Sequence, residues 1–316
     1  MIGYSLRRLG QGFVVVVIVS FLTFIEAHLL PGNPARAILG VHASSAQIAA
    51  FDRENGYNRS LVVQYLDYVD HLVHGNLGFS YQQNQSVAAL LAERLPATVI
   101  LVGLSVVVAL IAAIPLAVLQ AVRRNSPIDY ALTGTSFAFY SMPTFWLGLM
   151  MIMLFAVKVH LFPPGAPQGN VPQILAHPAG LVLPVLTLAL GSIAAFSRYL
   201  RSSLLDNLAQ DFVRTARAKG AGRRRVLYVH VFRNALAPII TLVGLSLPGI
   251  LSGALITESV FNYPGMGLLY WNSALSQDYP VLLGVTIVVA VGTVVGSLLA
   301  DLLYAVTDPR IRYGRQ

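Results

Sequence analysis

Asp67, His71 and His74 are spaced i, i+4 and i+7, so on a helix one carboxylate and two imidazoles share a face. Such a set could ligate a divalent metal, but a closed site needs a fourth ligand and none is evident. A solvated polar face is therefore the preferred reading. Other bond chemistry finds less support. The chain has no cysteine, which removes thiolate nucleophiles, thiolate metal sites and disulfides. It has no His-Glu-x-x-His run, no Gly-x-Ser-x-Gly elbow and no paired aspartates in its apolar runs. Its only lysines, Lys158 and Lys219, follow Val157 and Ala218, so the Gly-Lys of a phosphate-binding loop is missing. If ATP drives this protein, another subunit hydrolyses it.

The residues most out of keeping with their surroundings run from Asp211 to Pro238, the longest polar interruption in the second half of the chain. Asp211 is expected to cap a short helix over 212–219, and Gly220 and Gly222 to end it in a left-handed conformation. Two turns of helix are marginal alone and need something to pack against. Ala216 and Ala218 keep the surface low, which would let another protein approach closely.

The surroundings themselves are greasy. Of 316 residues, 56% are hydrophobic and 11% charged, whereas soluble domains carry charge on about 25%. This composition specifies an integral membrane protein. Runs long enough to cross about 30 Å of hydrocarbon are Leu9–Leu30, Ala97–Val122, Tyr130–Val157, Leu181–Leu200, Leu236–Thr257 and Pro280–Tyr304. The first is too long for a cleaved signal's apolar core. With the N-terminus inside, Arg7, Arg8, Arg123, Arg124, Arg198, Arg201 and the basic residues of 211–238 fall on one side, as the positive-inside bias requires. The net charge of +8 is thus explained by topology, and nucleic acid is not a partner. Glu26, Lys158, Glu258 and Asp301 lie near span ends, so no mid-span charge offers a proton or sodium relay. A secondary transporter and a membrane enzyme are disfavoured accordingly.

Three units follow: residues 1–30, the N-terminal segment and first span; 31–95, an external segment with helical spacing at Ile48–Phe51 and Leu61–Val73; and 96–316, the membrane core. Pro96 fits the first turn of the second span, and Pro115, Pro143 and Pro248 are expected to bend theirs. Pro264-Gly265 reads as a turn.

Several separated motifs carry a family resemblance. Thr215-Ala-Arg-Ala-Lys-Gly220, then Gly222, His230, Arg233-Asn-Ala-Leu236 and Pro238, resembles the EAA loop of permease subunits of ATP-binding-cassette (ABC) importers, best in the dipeptide and oligopeptide branch. Thr215 stands where the wider family has Glu. Gly75-Asn-Leu-Gly-Phe-Ser80, Arg94-Leu-Pro-Ala-Thr98, Glu258-Ser-Val-Phe-Asn-Tyr-Pro-Gly-Met-Gly267 and Asp308-Pro-Arg310 resemble further signatures, nearly end to end. The resemblance implies an all-α membrane protein of about six transmembrane helices, with the type I ABC importer permease fold and an extracytoplasmic segment between the first and second spans. It implies coupling to an ATPase through Phe212, Arg214, Thr215, Ala216, Arg217, Ala218, Lys219 and Gly220. It places Glu258, Phe261, Pro264, Gly265 and Gly267 in an extracytoplasmic turn near the pathway. The implied partners are a homologous second permease, two cytoplasmic ABC ATPases and an extracytoplasmic substrate-binding protein, in a bacterial plasma membrane with both termini cytoplasmic. No cofactor is expected in this chain, ATP and magnesium being bound by the ATPases. Di- or oligopeptides are the implied cargo; nickel chelates or haem-like molecules are the alternative.

Overall fold

In the computed structural model the described residues are 2–29, 34–40, 42–236, 238–240, 242–244 and 254–307. Pro31, Pro248 and Asp308-Pro-Arg310 lie outside them.

Helix α1 (Ile2–Leu29) opens the chain, and the short α2 (Pro34–Leu39), α3 (Ser45–Glu54) and α4 (Leu61–Val73) follow. Ser44 starts α3 through a reciprocal cap: its hydroxyl accepts from Gln47 N–H, and Gln47 Oε1 accepts from Ser44 N–H. A two-stranded antiparallel hairpin, β1 (Phe79–Ser80) with β2 (Gln85–Ser86), is a small addition to an otherwise helical fold. Asn84 turns it with φ of 50°, a left-handed value that Asn tolerates.

Ser86 then caps α5 (Val87–Val122), accepting from Ala89 N–H. The second span therefore starts ten residues earlier than its apolar run at Ala97, and Pro96 lies inside the helix, not in its first turn. Hydrophobicity marks where a helix enters lipid, whereas the cap marks where it begins.

The third span is not one rod. Helix α6 (Pro127–Ser141) and the helix starting at Thr144 meet at an angle of 104° across Met142 and Pro143. Proline cannot donate a backbone bond, and it bars the preceding residue from helical geometry. Met142 is accordingly extended, at φ −75° and ψ 132°. The second limb begins as α7 (Thr144–Met151) and continues as a π-helix over Ile152–Lys158. After α8 (Val171–Ala176), α9 (Ala179–Leu208) overruns its expected end at Leu200 by two turns, which puts Arg198 and Arg201 on the helix itself.

The centre of the molecule is the seam between α5 and α9. Ala109, Ala113, Ala117 and Ala121, one per turn, are buried together with Ala189, Phe196, Leu200 and Leu204. Small side chains at every fourth position let two membrane helices approach closely, since packing and not hydrophobicity drives association in lipid. On the other flank α1 packs along the last helix, Tyr279–Thr307.

Helix α10 (Asp211–Ala218) follows α9 directly. The next helical run, Arg223–Gly244, begins well before the expected Leu236, with a π-turn over Val226–Val231. The polar stretch 211–238 is thus one short helix, one turn and the first turns of the next span. Two short helices, Leu255–Val260 and Met266–Leu275, lead into Tyr279–Thr307. Among the described residues five helices are long and apolar enough to cross a membrane, or six with the bent pair counted as one span.

Candidate functional site

The sequence places its most chemically distinctive residues in α10. Val213 is 1% exposed and sits in the α5–α9 core with Leu204, Val226 and Leu227, while Phe212, Ala216 and Ala221 pack against that core. Asp211, Arg214, Thr215, Arg217, Ala218 and Lys219 are exposed. One apolar ridge therefore fastens α10 to its own chain, and the opposite face, Asp211, Thr215 and Ala218, is bare. Ala216 faces inward, so its small size serves this chain's packing. Ala218 alone keeps the outer surface low.

The end of α10 follows its glycine. Gly220 has φ of 81°, its N–H bonds Arg217 O at 2.9 Å, and Ala221 N–H reaches back to Ala216 O at 3.0 Å. This paired closure satisfies two terminal carbonyls and needs a left-handed residue. Gly222 differs from expectation: at φ −65° and ψ 155° it is the residue that starts the next helix. Asp211 also differs, being the first helical residue; Gln210 precedes it without a side-chain cap, and the exposed Asp211 carboxylate faces Arg214 at 3.5 Å.

The second cluster surrounds Glu258, which is fully buried. Its Oε1 accepts from Thr98 Oγ1 at 2.9 Å and Ala254 N–H at 3.2 Å, and its Oε2 from Leu268 N–H at 2.9 Å. Met266 N–H donates to Thr98 Oγ1 at 2.8 Å. The start of Met266–Leu275 would otherwise present orphan N–H groups, and a carboxylate there also suits the helix dipole. Burial pushes the Glu258 carboxyl up from its ordinary range, and the bonds from Leu268, Thr98, Ala254 and Gly267 pull it back only in part. Gly265 is required by this closeness: a Cβ there would lie 2.5 Å from the carboxylate atoms. Tyr263 is buried and its hydroxyl donates to Ala97 O at 2.6 Å, while Phe261 O accepts Ala166 N–H at 2.8 Å. Glu258, Phe261, Pro264, Gly265 and Gly267 are thus brought together in one buried clamp. Beside it a cavity of about 210 Å³ is lined by Gln83, Arg94, Gln168, Asn262 and Asn272 among others.

The candidate metal face is not assembled. Asp67 Oδ2 pairs with Arg59 at 2.9 Å, His74 Nδ1 bonds Asp70 O, and no three donor residues converge among the described residues.

Some polar sites were invisible in the sequence because their partners are far apart in it. Asp129, 1% exposed in the first turn of α6, takes a two-pronged bond from Arg201, Nε to Oδ1 at 2.9 Å and a terminal nitrogen to Oδ2 at 2.7 Å. Ser80 donates to Asp278, both buried. The capping motif Ser126-Pro-Ile-Asp129 marks a helix start, but nothing in it points to Arg201.

The chain matches the family described as binding-protein-dependent transport system inner membrane component over residues 113–313, and that family's N-terminal component over residues 1–105. It is 39% identical to the oligopeptide transport system permease protein AppB of Bacillus subtilis (strain 168), over 99% of this chain and 100% of the relative. It is 35% identical to the dipeptide transport system permease protein DppB of Escherichia coli (strain K12), over 99% of each. Among solved structures it resembles a chain of the inward-facing MetNI methionine ABC transporter, with a TM-score of 0.54 and 17% identity, covering 70% of this chain and 97% of that one. At that identity the likeness carries the fold alone.

Proposed function

This chain belongs to the family of binding-protein-dependent transport system inner membrane components, and from that premise we propose that it forms half of the translocation pathway for di- or oligopeptides in an ATP-driven importer. It is a transport subunit and performs no bond chemistry of its own. Its partners in this reading are a homologous second permease, two cytoplasmic ATPases that bind ATP and magnesium, and an extracytoplasmic binding protein that delivers cargo. Both termini and α10 face the cytoplasm of a bacterial inner membrane, and the segment 31–95 lies outside.

The observation that carries this reading is the two-sided character of α10. Val213 roots it in the α5–α9 seam, while Asp211, Arg214, Thr215 and Ala218 point away from the chain. A helix held this way passes a push on its outer face into the bundle as a rigid body, because packed cores shift between discrete arrangements and do not deform continuously. Closure of the ATPases on ATP supplies the push. At the opposite end the Glu258 clamp fixes the short helices beside the polar cavity, so that end turns with the bundle.

The test is uptake of a labelled dipeptide and of a nickel chelate by the complex reconstituted with its binding protein and ATP. ATP-dependent peptide uptake is expected, with none from this chain alone. Gradient-driven transport by the isolated polypeptide would overturn the assignment, and chelate uptake without peptide uptake would overturn the cargo.

A further inference from the structure

We propose that α5, α6 and α9 build a station for the cargo's terminal carboxylate, with Arg198 as its cation; this rests on the peptide-importer reading. Arg198 is exposed on the flank of α9, about three turns before the helix ends at Leu208. Its guanidinium carbon lies 5.0 Å from the ring centre of Tyr140, 5.5 Å from Tyr199 and 5.7 Å from Phe137. Aromatic faces attract a cation and hold it in place, yet they use none of its N–H donors. Among the described residues Arg198 makes no hydrogen bond and no ion pair. Its neighbour Arg201 is already neutralised by Asp129. That carboxylate is taken, and Arg198 has no paired carboxylate of its own among the described residues. A guanidinium near the cytoplasmic end of a membrane helix keeps its N–H groups at the water edge, where an anionic group can reach them.

A second, independent observation lies against it. Gln120 is 3% exposed, its Nε2 donates to Thr133 Oγ1 at 3.2 Å, and its Oε1 is buried with no partner. A buried acceptor left unpaired is costly and asks for an explanation. Gln120 and Arg198 line one cavity of about 50 Å³, together with Thr133, Ser136 and Ser197. That is room for one small polar group.

The end of a peptide fits this pattern in both respects. A carboxylate is matched by the planar fork of a guanidinium, and the last amide N–H, two bonds behind it, is a donor for Gln120 Oε1. Every unmodified peptide has this terminus whatever its side chains, so the station recognises cargo without reading sequence.

The experiment uses the reconstituted complex and a labelled tripeptide, as the free acid and as its C-terminal amide. Arg198→Gln should cut uptake of the acid about tenfold or more, the scale of a lost charge-assisted hydrogen bond. Arg198→Lys should restore part of it, and uptake of the amide should respond little. Because the chain has no cysteine, Ser136→Cys can be labelled with a charged thiol reagent. Protection of that thiol by the acid, lost when Arg198→Gln is added, gives the same answer independently of the binding protein's own preference. Equal losses for acid and amide, or full uptake of the acid by Arg198→Gln, overturn the station. So does release of a bound anionic phospholipid by Arg198→Gln with uptake unchanged, which would make the site a lipid's, or loss of the second permease on purification, which would make it a subunit contact. If the wild-type complex moves no peptide, the importer reading fails and not the station alone.

Discussion

Thr98 Oγ1 lies 2.9 Å from Glu258 Oε1 and 2.8 Å from the backbone nitrogen of Met266, donating to the first and accepting from the second. One hydroxyl on α5 thus ties a buried carboxylate to the start of a helix more than a hundred and fifty residues away in sequence. Each group answers the other's need. The carboxylate requires donors because it is out of water, and the helix start requires acceptors.

Thr98→Val keeps the shape and removes both bonds, so it should cost about 1–3 kcal/mol. Glu258→Ala should cost more, because it leaves Ala254 and Leu268 N–H groups without their acceptor as well as opening a cavity. Thermal unfolding of the purified chain in detergent measures both. A Thr98→Val variant as stable as the wild type would mean that the clamp is not a source of stability.

The two halves of this clamp were each legible as a local motif and not as a pair. The Arg-Leu-Pro-Ala-Thr98 stretch stands out as a family signature and the Glu258-to-Gly267 stretch also by its Pro-Gly turn, but pairing is a tertiary fact. Periodicity and hydrophobicity located the spans because lipid forces every backbone group into a helix. They do not mark the ends, since the helix capped by Ser86 and the run Arg223–Gly244 both begin before their apolar stretches do. Gly220 is legible because a left-handed helix end leaves a signature within five residues. Gly222 looks identical in sequence and is conformationally ordinary. An alanine's size does not say which neighbour it accommodates, and Ala216 accommodates this chain's own core.

The buried pair Ser80 and Asp278 gives a pH dependence. Burial raises the Asp278 carboxyl above its ordinary 3.8, with the Ser80 hydroxyl and Val281 N–H opposing in part. A carboxyl raised on folding contributes stability below its unfolded value and loses it as pH rises through the folded one. The Tm of the wild type relative to Asp278→Asn should therefore fall as pH rises from about 4 upward and level off above the folded value. A relative Tm that rises with pH would show that the hydrogen bonds outweigh burial.

Two faces of α10 predict two phenotypes. Val213→Ala, in the core, should lower stability by about 1–3 kcal/mol. Ala218→Arg, on the bare face, should leave the Tm of the chain unchanged and reduce ATPase association or uncouple hydrolysis from uptake. Ala216→Arg is the poorer probe, because its side chain would enter this chain's own core. Gly220→Val strains a backbone at φ of 81° and should cost roughly 1–2 kcal/mol. Normal ATPase capture and normal uptake by Ala218→Arg would remove α10's outer face from the coupling contact.

Topology can be tested without a background, because the chain contains no cysteine. Asn58, just after α3, and Arg224, just after α10, are both exposed, so either position should react once a reagent reaches it. Ser44 is less suitable, since a cysteine there would remove the α3 cap. In intact cells an impermeant maleimide should label Asn58→Cys and spare Arg224→Cys, and permeabilisation should expose the second. The physical basis is the cost of moving basic residues outward: Arg214, Arg217, Lys219, Arg223, Arg224 and Arg225 crowd within twelve residues, and such clusters stay on the cytoplasmic side. The reverse labelling pattern would place α10 outside, beyond reach of any cytoplasmic ATPase, and would take the coupling mechanism with it.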